Sequence, residues 1–362
     1  MERPAGREPG RPCFLIHRFA LAVEFFDMRV FLYEYTSARP PEPTGSLHSE
    51  GWAMLQAVVE DFGNIPGLET MTLVHETSDC QLGHSCQHIG KRQEQQAFRR
   101  LAAEADFTLV IAPEFDDILV SRCRWVLEAG GRLLGAAPQA VSMAADKYVA
   151  AKTFEAASIQ TPVTILCTDQ ETRINSFPAV LKPRFGAGSQ ATFLVRTKNY
   201  LEDALLQAAR EMPDGEFILQ PFVAGLPASV AFLVGPAGMV PLLPAAQHLS
   251  SDGRFRYQGG EVPLPAGLPE RALKLASRAV AAIPGLLCYI GVDLVLGEAE
   301  DGSQDFVIEI NPRLTTSYIG LRRLARTNLA QALLELTSGK ATAPLEWRPG
   351  IVRFLADGTL LP

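Results

Sequence analysis

Hydrophobic positions in the first third of the chain alternate between short apolar runs and a helical period. The runs predict strands at residues 29–35, 69–74, 107–112 and 132–134. After the first run, apolar residues recur three and four positions apart and would share one helix face: Leu47, Met54, Leu55, Val58, Val59 and Phe62. Strands that alternate with helices form a parallel sheet covered on both sides, so we predict an α/β domain here.

After Pro138 the pattern becomes mixed. Helical periods predict helices at residues 144–157, 199–212, 269–283 and 321–337. Apolar runs predict strands at residues 161–166, 217–222, 229–234, 240–243 and 350–355. We expect the strand at 229–234 to pair with the strand before it, and residues 253–260 to form a polar loop. This order of elements indicates an α+β region behind the first domain.

Residues 291–318 contain the most informative polar pattern. Two apolar runs, 292–296 and 306–310, flank an acidic turn and predict a β-hairpin. Because residues two apart in a strand face the same side, three oxygen-bearing side chains can meet across the hairpin: Asp293, Glu309 and Asn311. Such ligands suit Mg²⁺, and Arg313 adds a positive charge beside them. The alternative is a solvated hairpin edge without a ligand.

A glycine-bearing loop follows another predicted strand. Pro183 restricts Lys182 to an extended conformation, so the lysine side chain points off the strand end. Gly186 and Gly188, followed by Ser189, would let backbone N–H groups approach an anion closely. The hypothesis is a phosphate-binding loop, and the alternative is a plain hairpin turn. It is not a Walker A loop, because the sequence has no G-x₄-G-K-[ST].

Composition excludes several classes of protein. With 362 residues and 47% hydrophobic residues, the chain is long enough for two or three domains. The net charge is −7 and no basic block occurs, so the electrostatic pattern of a nucleic-acid binder is absent. Six scattered cysteines do not form a secreted disulfide framework, and no apolar run reaches membrane-spanning length. We expect a cytoplasmic protein, and we expect residues 1–27 to be a poorly ordered extension.

A short segment concentrates histidine and cysteine between the second predicted strand and its helix: His75, Cys80, His84, Cys86 and His88. A zinc site is one hypothesis for this segment. The spacing matches no common zinc module, and no C-x₂-C pair occurs. We therefore favour a polar surface loop.

Four motifs occur in a telling order: Asp146-Lys147, V-L-K-P at 180–183, G-V-D at 291–293 and E-I-N-P-R at 309–313. With these motifs the chain resembles the ATP-grasp superfamily over about residues 28–340. The resemblance implies a Rossmann-like pre-ATP-grasp domain (28–137), then a two-lobed ATP-grasp fold. Its N-lobe would span 138–223, and its C-lobe 224–362 would carry the metal-binding hairpin.

The resemblance also implies roles for individual residues. The ATP phosphates would contact Lys147, Lys182, Gly186, Gly188 and Ser189. The adenine would be lined by Gln220, Pro221, Phe222 and Val223. A Mg²⁺ or Mn²⁺ ion would be held by Asp293, Glu309 and Asn311. The residues that act in phosphoryl transfer would be Arg313 and Lys182.

Within the superfamily, further stretches resemble the tyramine–glutamate ligases of methanofuran biosynthesis and their bacterial relatives: residues 33–37, 46–55, 225–234 and 309–322. This implies an ATP-dependent carboxylate–amine ligase that forms an amide through an acyl phosphate, with glutamate and an aromatic amine as substrates. The alternatives are another ATP-grasp ligase acting on amino acids or peptides, or a nucleotide-binding subunit without turnover.

Two regions are candidate substrate contacts. One follows the first strand and contains Glu34, Tyr35 and Ser37. The other is a basic loop that contains Arg254, Arg256 and Tyr257, whose guanidinium groups could hold a carboxylate. The expected partners are therefore a small-molecule carboxylate and an amine, without nucleic acid or membrane. A homodimer is an expectation from the superfamily alone.

Overall fold

The computed structural model describes residues 28–40, 46–90, 92–167 and 176–362. The predicted extension at 1–27 lies outside the described residues, as does the middle of the proline-rich loop at 41–45. Among the described residues, no helix combines the length and the apolar character needed to span a bilayer.

The N-terminal domain contains a parallel sheet of four strands in the order β3-β2-β1-β4. Its elements are β1 (Met28–Glu34), α1 (Ser46–Gly63), β2 (Leu68–His75), β3 (Ser85–Ile89), α2 (Glu94–Glu104), β4 (Phe107–Ile111) and α3 (Ile118–Glu128). Successive β1 side chains point to opposite faces, so Val30 and Leu32 enter one core while Phe31 and Tyr33 enter another. The predicted parallel α/β sheet is confirmed.

Two local predictions in this domain are wrong. The histidine- and cysteine-bearing segment is not only a loop, because its second half forms β3 at the sheet edge. Its residues are polar and half-exposed, so the apolar signal of a strand is missing. Conversely, residues 132–134 form only a single parallel bridge, from Leu133 to Thr108, instead of a strand.

The small lobe follows two short helices, α4 (Pro138–Ala145) and α5 (Lys147–Ala156). We predicted one helix over 144–157, but Asp146 interrupts it with an extended backbone. The Asp146 carboxylate accepts hydrogen bonds from the N–H groups of Tyr148 and Val149, which makes it the N-cap of α5. The lobe's antiparallel sheet has the order β5-β8-β6-β7. Its elements are β5 (Ile165–Leu166), β6 (Ala179–Pro183), β7 (Phe193–Val195), α6 (Leu201–Glu211) and β8 (Phe217–Pro221).

The large lobe contains an eight-stranded antiparallel sheet with the main order β14-β13-β9-β11-β12-β15-β16, and β10 pairs with β9. Its strands are β9 (Leu226–Gly235), β10 (Gly238–Pro241), β11 (Ala245–Leu249), β12 (Tyr257–Val262), β13 (Cys288–Leu296), β14 (Phe306–Asn311), β15 (Val352–Leu355) and β16 (Leu360–Leu361). Its helices are α7 (Pro269–Ala282), α8 (Ser317–Leu324) and α9 (Leu329–Thr337). The predicted hairpin is confirmed as β13 and β14.

Strand β9 does not pair with β8, contrary to our prediction. It pairs along its length with β13, in a register that joins Leu226 to Leu296 and Val234 to Cys288. The long partnership buries both faces of β9, whereas β8 could offer only five residues. The partner of β9 thus lies far away in the sequence, and the neighbouring position of β8 in the chain does not predict the pairing. Part of the predicted polar loop at 253–260 likewise belongs to β12.

The predicted helix at 321–337 is two helices. Ala325 is extended and forms a bridge to Trp347, and the N–H of Arg326 bonds to the carbonyl of Glu346. Asn328 then caps α9 by accepting from the N–H groups of Ala330 and Gln331. The apolar period runs through the break, which explains why the pattern alone predicts one helix.

Two of the three cores extend across the N-terminal sheet and the large sheet. One contains Phe31 together with Val230, and the other contains Leu32 together with Leu233. The small lobe has its own core, built from β6, β7, β8 and α6. The domain limits at 137 and 223 stay a prediction; each of the three sheets lies within one of the segments they define.

A polar cluster ties α1 to α8 between these layers. Asp61 accepts hydrogen bonds from the Tyr318 hydroxyl at 2.6 Å and from Arg322 Nε at 2.9 Å. Its backbone carbonyl accepts from the Asn328 side chain at 2.7 Å. Glu60, whose side chain is 57% exposed, also pairs with Arg322.

We expect Asp61→Ala to destabilise the protein, because it removes the acceptor of the buried Tyr318 hydroxyl and leaves Arg322 paired with the exposed Glu60 instead. The loss of a buried partner costs about 3 kcal/mol, or roughly 5–10 °C in the thermal midpoint. The matched control is Glu60→Gln, which removes an exposed partner of the same arginine and should change the midpoint little. Equal midpoints for the two variants, measured by differential scanning calorimetry, would contradict this interpretation.

Candidate functional site

A cleft between the small lobe and the large sheet brings most of the predicted site residues together. Its cavity volume is about 280 Å³. Among the residues that line it are the predicted phosphate, adenine, metal and catalytic contacts: Lys147, Lys182, Gly186, Gly188, Ser189, Gln220, Pro221, Phe222, Val223, Asp293, Glu309, Asn311 and Arg313. Tyr257, a predicted substrate contact, lines it too. Five separate parts of the chain thus meet in one place.

The β13–β14 hairpin supplies the acidic wall of the cleft. Its register places Asp293 opposite Glu309 and Gly291 opposite Asn311, so the three oxygen-bearing side chains share a face, as predicted. The Asn311 amide donates to Asp293 Oδ2 at 3.0 Å. A bulge follows at Ile308, and it lets both Ile308 and Glu309 face the cleft.

The two carboxylates respond differently to their surroundings. Burial raises the pKa of Asp293, and the neighbouring Glu309 charge raises it further, against the hydrogen bonds from Asn311 and Gln247. Burial also acts to raise the pKa of Glu309, but the charges of Lys147 and Lys182 outweigh it and lower that pKa. A cation between the carboxylates would relieve the repulsion that Asp293 experiences.

The two lysines form the opposite, basic wall. Lys147 Nζ donates to the carbonyl of Gly186 at 2.8 Å and lies 3.4 Å from Glu309 Oε2. Lys182 is 8% exposed, and burial lowers its pKa to about 8. The Glu309 charge opposes this shift, whereas the Lys147 charge adds to it. Two cationic groups in one buried place indicate an anionic ligand.

The glycine loop closes one side of the cleft. Gly188 and Ser189 both have left-handed backbones, with φ of +65° and +58°. A Cβ added at Gly188 would lie only 3.0 Å from a methyl carbon of Leu47 in α1. The Ser189 hydroxyl donates to the carbonyl of Phe255 at 2.7 Å. A side chain at position 188 would therefore be strained by the backbone conformation and crowded by Leu47, which favours glycine there.

An apolar segment forms the far end of the cleft. The Phe222 ring stacks on Phe255 with a centroid distance of 6.0 Å and an interplanar angle of 26°. The Phe222 N–H already donates to the carbonyl of Pro178, whereas no backbone acceptor among the described residues takes the Val223 N–H. The Gln220 side chain is buried and donates to Thr164, so it supports the wall.

Arg313 has a partner that the sequence analysis did not single out. Its Nε and Nη2 donate to the two carboxylate oxygens of Glu114, at 2.7 and 3.0 Å. Glu114 follows β4, at the carboxyl end of a parallel strand where ligands commonly gather. Its place after β4 is the one feature of the sequence that could have marked Glu114 as a site residue. Its pairing with Arg313 could not be predicted, because the two residues are almost two hundred positions apart.

The first group of predicted substrate contacts does not line the cleft. The Glu34 carboxylate accepts from the backbone N–H and the hydroxyl of both Thr36 and Ser37, so it holds its own turn together. Burial raises the pKa of Glu34 against these hydrogen bonds. The Tyr35 ring lies between the guanidinium groups of Arg39 and Arg122. The structure therefore does not bring these three positions into the cleft, and a substrate contact at them stays a prediction.

Of the three predicted contacts in the basic loop, Arg254 and Arg256 do not line the cleft, and their contact with a substrate stays a prediction. Arg254 donates to both carboxylate oxygens of Glu211, and its guanidinium lies 4.0 Å from the centre of the Phe193 ring. It is thus committed to packing the small lobe against the loop. Arg256 is exposed, pairs with Asp252 at 3.3 Å, and lines a recess beside the cleft instead of the cleft itself.

The histidine- and cysteine-bearing segment forms no metal cluster among the described residues. His84 Nδ1 accepts from the Thr70 N–H at 3.1 Å. His75 Nδ1 lies 2.9 Å from the Thr77 hydroxyl. The two rings thus serve local hydrogen bonds.

The sequence patterns did not predict the remaining residues that line the cleft, because the patterns around them indicate only helices, strands or loops. They include Glu50, Gln247, Phe255, Thr315, Thr316 and Ser317. Glu50 belongs to a helix whose apolar face is its only sequence signal, and Gln247 lies on a short strand. The Gln247 amide donates to Asp293 Oδ1 at 2.9 Å, which orients that carboxylate.

Models of known families match this chain in two consecutive segments. A pre-ATP-grasp domain model matches residues 70–141, and an ATP-grasp domain model matches residues 144–317. A solved structure from Archaeoglobus fulgidus, assigned to the ATP-grasp superfamily, is 25% identical and has a TM-score of 0.67, with 90% of this chain and 92% of that chain covered. The chain belongs to the ATP-grasp superfamily.

Two curated proteins of known activity are similar to this chain. The tyramine–L-glutamate ligases of Methanocaldococcus fervens and Methanocaldococcus jannaschii are 28% and 29% identical, each over 64% of this chain. The matches span 65% and 62% of those ligases, a little under two thirds. An L-amino acid ligase structure from Bacillus licheniformis, 16% identical, has a TM-score of 0.66, over 87% of this chain and 76% of that one.

We expect Glu114→Ala to disturb the site by leaving the Arg313 charge without its bidentate partner. Breaking a buried pair in this way costs about 3–5 kcal/mol. The thermal midpoint should fall, and the measurement is again scanning calorimetry. Asp116→Asn, which removes a negative charge two positions further on and keeps a side chain that tolerates the left-handed backbone there, is the control. A midpoint like that of the wild type for Glu114→Ala would argue against the importance of the pair.

Proposed function

We propose that this protein is an ATP-dependent carboxylate–amine ligase that joins L-glutamate to tyramine or a similar aromatic amine. The observation that carries the proposal is the cleft itself, in which a lysine pair faces an Asp–Glu–Asn set beneath a glycine loop. The named relatives support the choice of substrates, because two of the curated ones are tyramine–L-glutamate ligases.

The cleft fits a nucleoside triphosphate in its arrangement of groups. Lys147 and Lys182 offer charge to the phosphates, and the glycine loop covers them. Phe222 and Val223 offer an apolar surface with a backbone N–H and carbonyl oxygens for the edge of a purine. Because the Phe222 N–H is already engaged, the Val223 N–H is the donor that we assign to the adenine.

The acidic wall fits a hard divalent cation. Asp293, Glu309 and Asn311 offer carboxylate and amide oxygens on one face of the hairpin, and burial together with the Glu309 charge raises the pKa of Asp293, so a cation between the carboxylates would be favoured. Mg²⁺, or Mn²⁺ in its place, would be held there together with phosphate oxygens. When bound, such an ion neutralises charge on the phosphates. Gln247 holds Asp293 in position for it.

The chemistry needs little covalent help from the protein. A carboxylate becomes an electrophile when it takes the γ-phosphoryl group as an acyl phosphate, and the amine then displaces phosphate. Lys182 and Arg313 stabilise the charge of the transferring group, and the glycine loop excludes water from the acyl phosphate. The Arg313–Glu114 pair keeps the guanidinium in a fixed orientation.

A second candidate is a ligase that joins amino acids. A D-alanine–D-alanine ligase from Clostridium botulinum is 25% identical over 212 residues, and the L-amino acid ligase structure has a similar fold. Both candidates share the nucleotide cleft and differ in what occupies the acceptor side. Turnover assays therefore separate them.

The test is ADP release with Mg·ATP, L-glutamate and tyramine, followed by mass spectrometry. We expect release to require both substrates and the product to have their summed mass less water. Glu309→Gln should lower the rate about 10²–10³-fold or more, because it removes charge from the acidic wall. Glu298→Gln, an exposed change in the turn of the same hairpin, should not.

Other outcomes would redirect the proposal. Release with pairs of amino acids but not with tyramine would favour the second candidate. ATP binding without release for any acid would indicate a nucleotide-binding subunit. Full activity of Glu309→Gln would remove the metal assignment.

The lysine pair predicts how ADP affinity depends on pH. The pKa of Lys182 is lowered to about 8, so this side chain is charged at pH 7 and largely neutral at pH 9.5. Phosphates favour the charged form, and binding above pH 8 must therefore take up a proton. We expect the metal-free affinity for ADP, measured by calorimetry, to fall about tenfold between pH 8 and 9.5. Lys182→Arg should remove most of this fall; an unchanged profile would contradict the placement.

A further inference from the structure

A second recess adjoins the nucleotide cleft on the side of the N-terminal domain. Its volume is about 460 Å³, and it is lined by Glu50, Gly188, Ser250, Ser251, Asp252, Arg256, Tyr257 and Gln258. Glu50, Gly188 and Tyr257 line both spaces. A molecule in the recess therefore reaches the cleft beside the glycine loop, where the phosphoryl group would be transferred.

Glu50 lies where the recess meets the cleft, and few groups around it compensate the charge of its carboxylate. Its carboxylate is mostly buried, and burial raises its pKa to about 7 against the charge of Arg313. Within the part of the chain that the structure describes, it has no ion pair within 4.0 Å. Its hydrogen bond there is a long one, 3.5 Å, from the Thr316 hydroxyl. A buried carboxylate with unused acceptor capacity is costly unless a ligand supplies donors.

The sign of the charge restricts that ligand. A carboxylate repels the ATP phosphates and the carboxylates of L-glutamate, so Glu50 suits an ammonium group. L-glutamate also carries an ammonium group, but the recess that opens beside Glu50 favours the acceptor amine at this place. An alkylammonium group carries a positive charge and three N–H donors, which match an under-used carboxylate. The polar recess, with hydroxyl and amide groups, gives such an amine a path from solvent.

We infer that Glu50 binds the ammonium group of the acceptor amine and takes a proton from it, and that the amine enters through the adjoining recess. This rests on the proposed ligase function. One ammonium proton passes to Glu50, which frees the nitrogen lone pair. The C–N bond forms while the C–O bond to phosphate breaks with its electron pair on the phosphate. The second proton leaves with the phosphate, and the amide keeps the third.

An assay with hydroxylamine distinguishes a role of Glu50 in amine binding from a role in forming the acyl phosphate. It is largely neutral at pH 7 and traps an acyl phosphate as a hydroxamate without an ammonium site. In Glu50→Gln we expect hydroxamate formation from Mg·ATP and L-glutamate to persist within about threefold. The KM for tyramine in amide formation should rise about 10- to 100-fold, the size of a lost charged hydrogen bond. The KM values for ATP and glutamate should stay unchanged.

Glu60→Gln, the same change on an exposed face of α1, is the matched control and should leave all these constants unaltered. Loss of both hydroxamate and amide in Glu50→Gln would assign Glu50 to phosphoryl transfer and overturn the inference. An unaltered KM for tyramine would overturn it as well. Failure of the wild type to form hydroxamate would instead count against the ligase function.

A binding measurement tests Glu50 even without turnover. Tyramine and butylamine are titrated calorimetrically into the wild type in the presence of Mg²⁺ and ADP. We expect both amines to bind, and Glu50→Gln to weaken both by about tenfold or more. Equal affinities in the two proteins, or no amine binding by the wild type, would overturn the inference.

Discussion

Opposite charges buried in one cleft are the constraint on which this structure depends. Lys147 and Lys182 face Asp293 and Glu309, and each charge is tolerated there because of the others. The lysines come from α5 and the small lobe, whereas the acids come from the large sheet. Charge compensation thus acts across the cleft. Phosphates and a divalent cation would replace this internal pairing with stronger pairings of the same signs.

The N-terminal domain belongs to the site as much as the two lobes do. Glu114 fixes Arg313, Leu47 restricts the glycine loop, and Glu50 borders the cleft on the recess side. Two hydrophobic cores and the Asp61 cluster join that domain to the large sheet. The domain therefore supports the site from the side of the large sheet, while the small lobe has a separate core of its own.

Two groups of residues lie in different parts of the molecule. One group matches motifs of the superfamily, and the other is particular to this chain. The nucleotide side is built from motifs whose order the family models match. The recess, where we propose that the acceptor amine binds, draws on α1, β12 and the loop before it, whose sequence patterns are less specific than the nucleotide motifs. This division explains why the class of reaction follows readily from similarity, whereas the substrates depend on experiments directed at the recess.

Local sequence determined the parallel sheet, the acidic hairpin and the shared face of Asp293, Glu309 and Asn311, because periodicity two and hairpin register are short-range properties. The order of the four motifs predicted the nucleotide-binding residues. Only the tertiary structure decided that β9 pairs with β13, that residues 321–337 break at Ala325, and that Glu34 and Arg254 bond to their own neighbours outside the cleft. It alone joined Arg313 to Glu114 and brought Glu50 to the cleft. These outcomes depend on which distant surfaces pack together, and no local pattern encodes that.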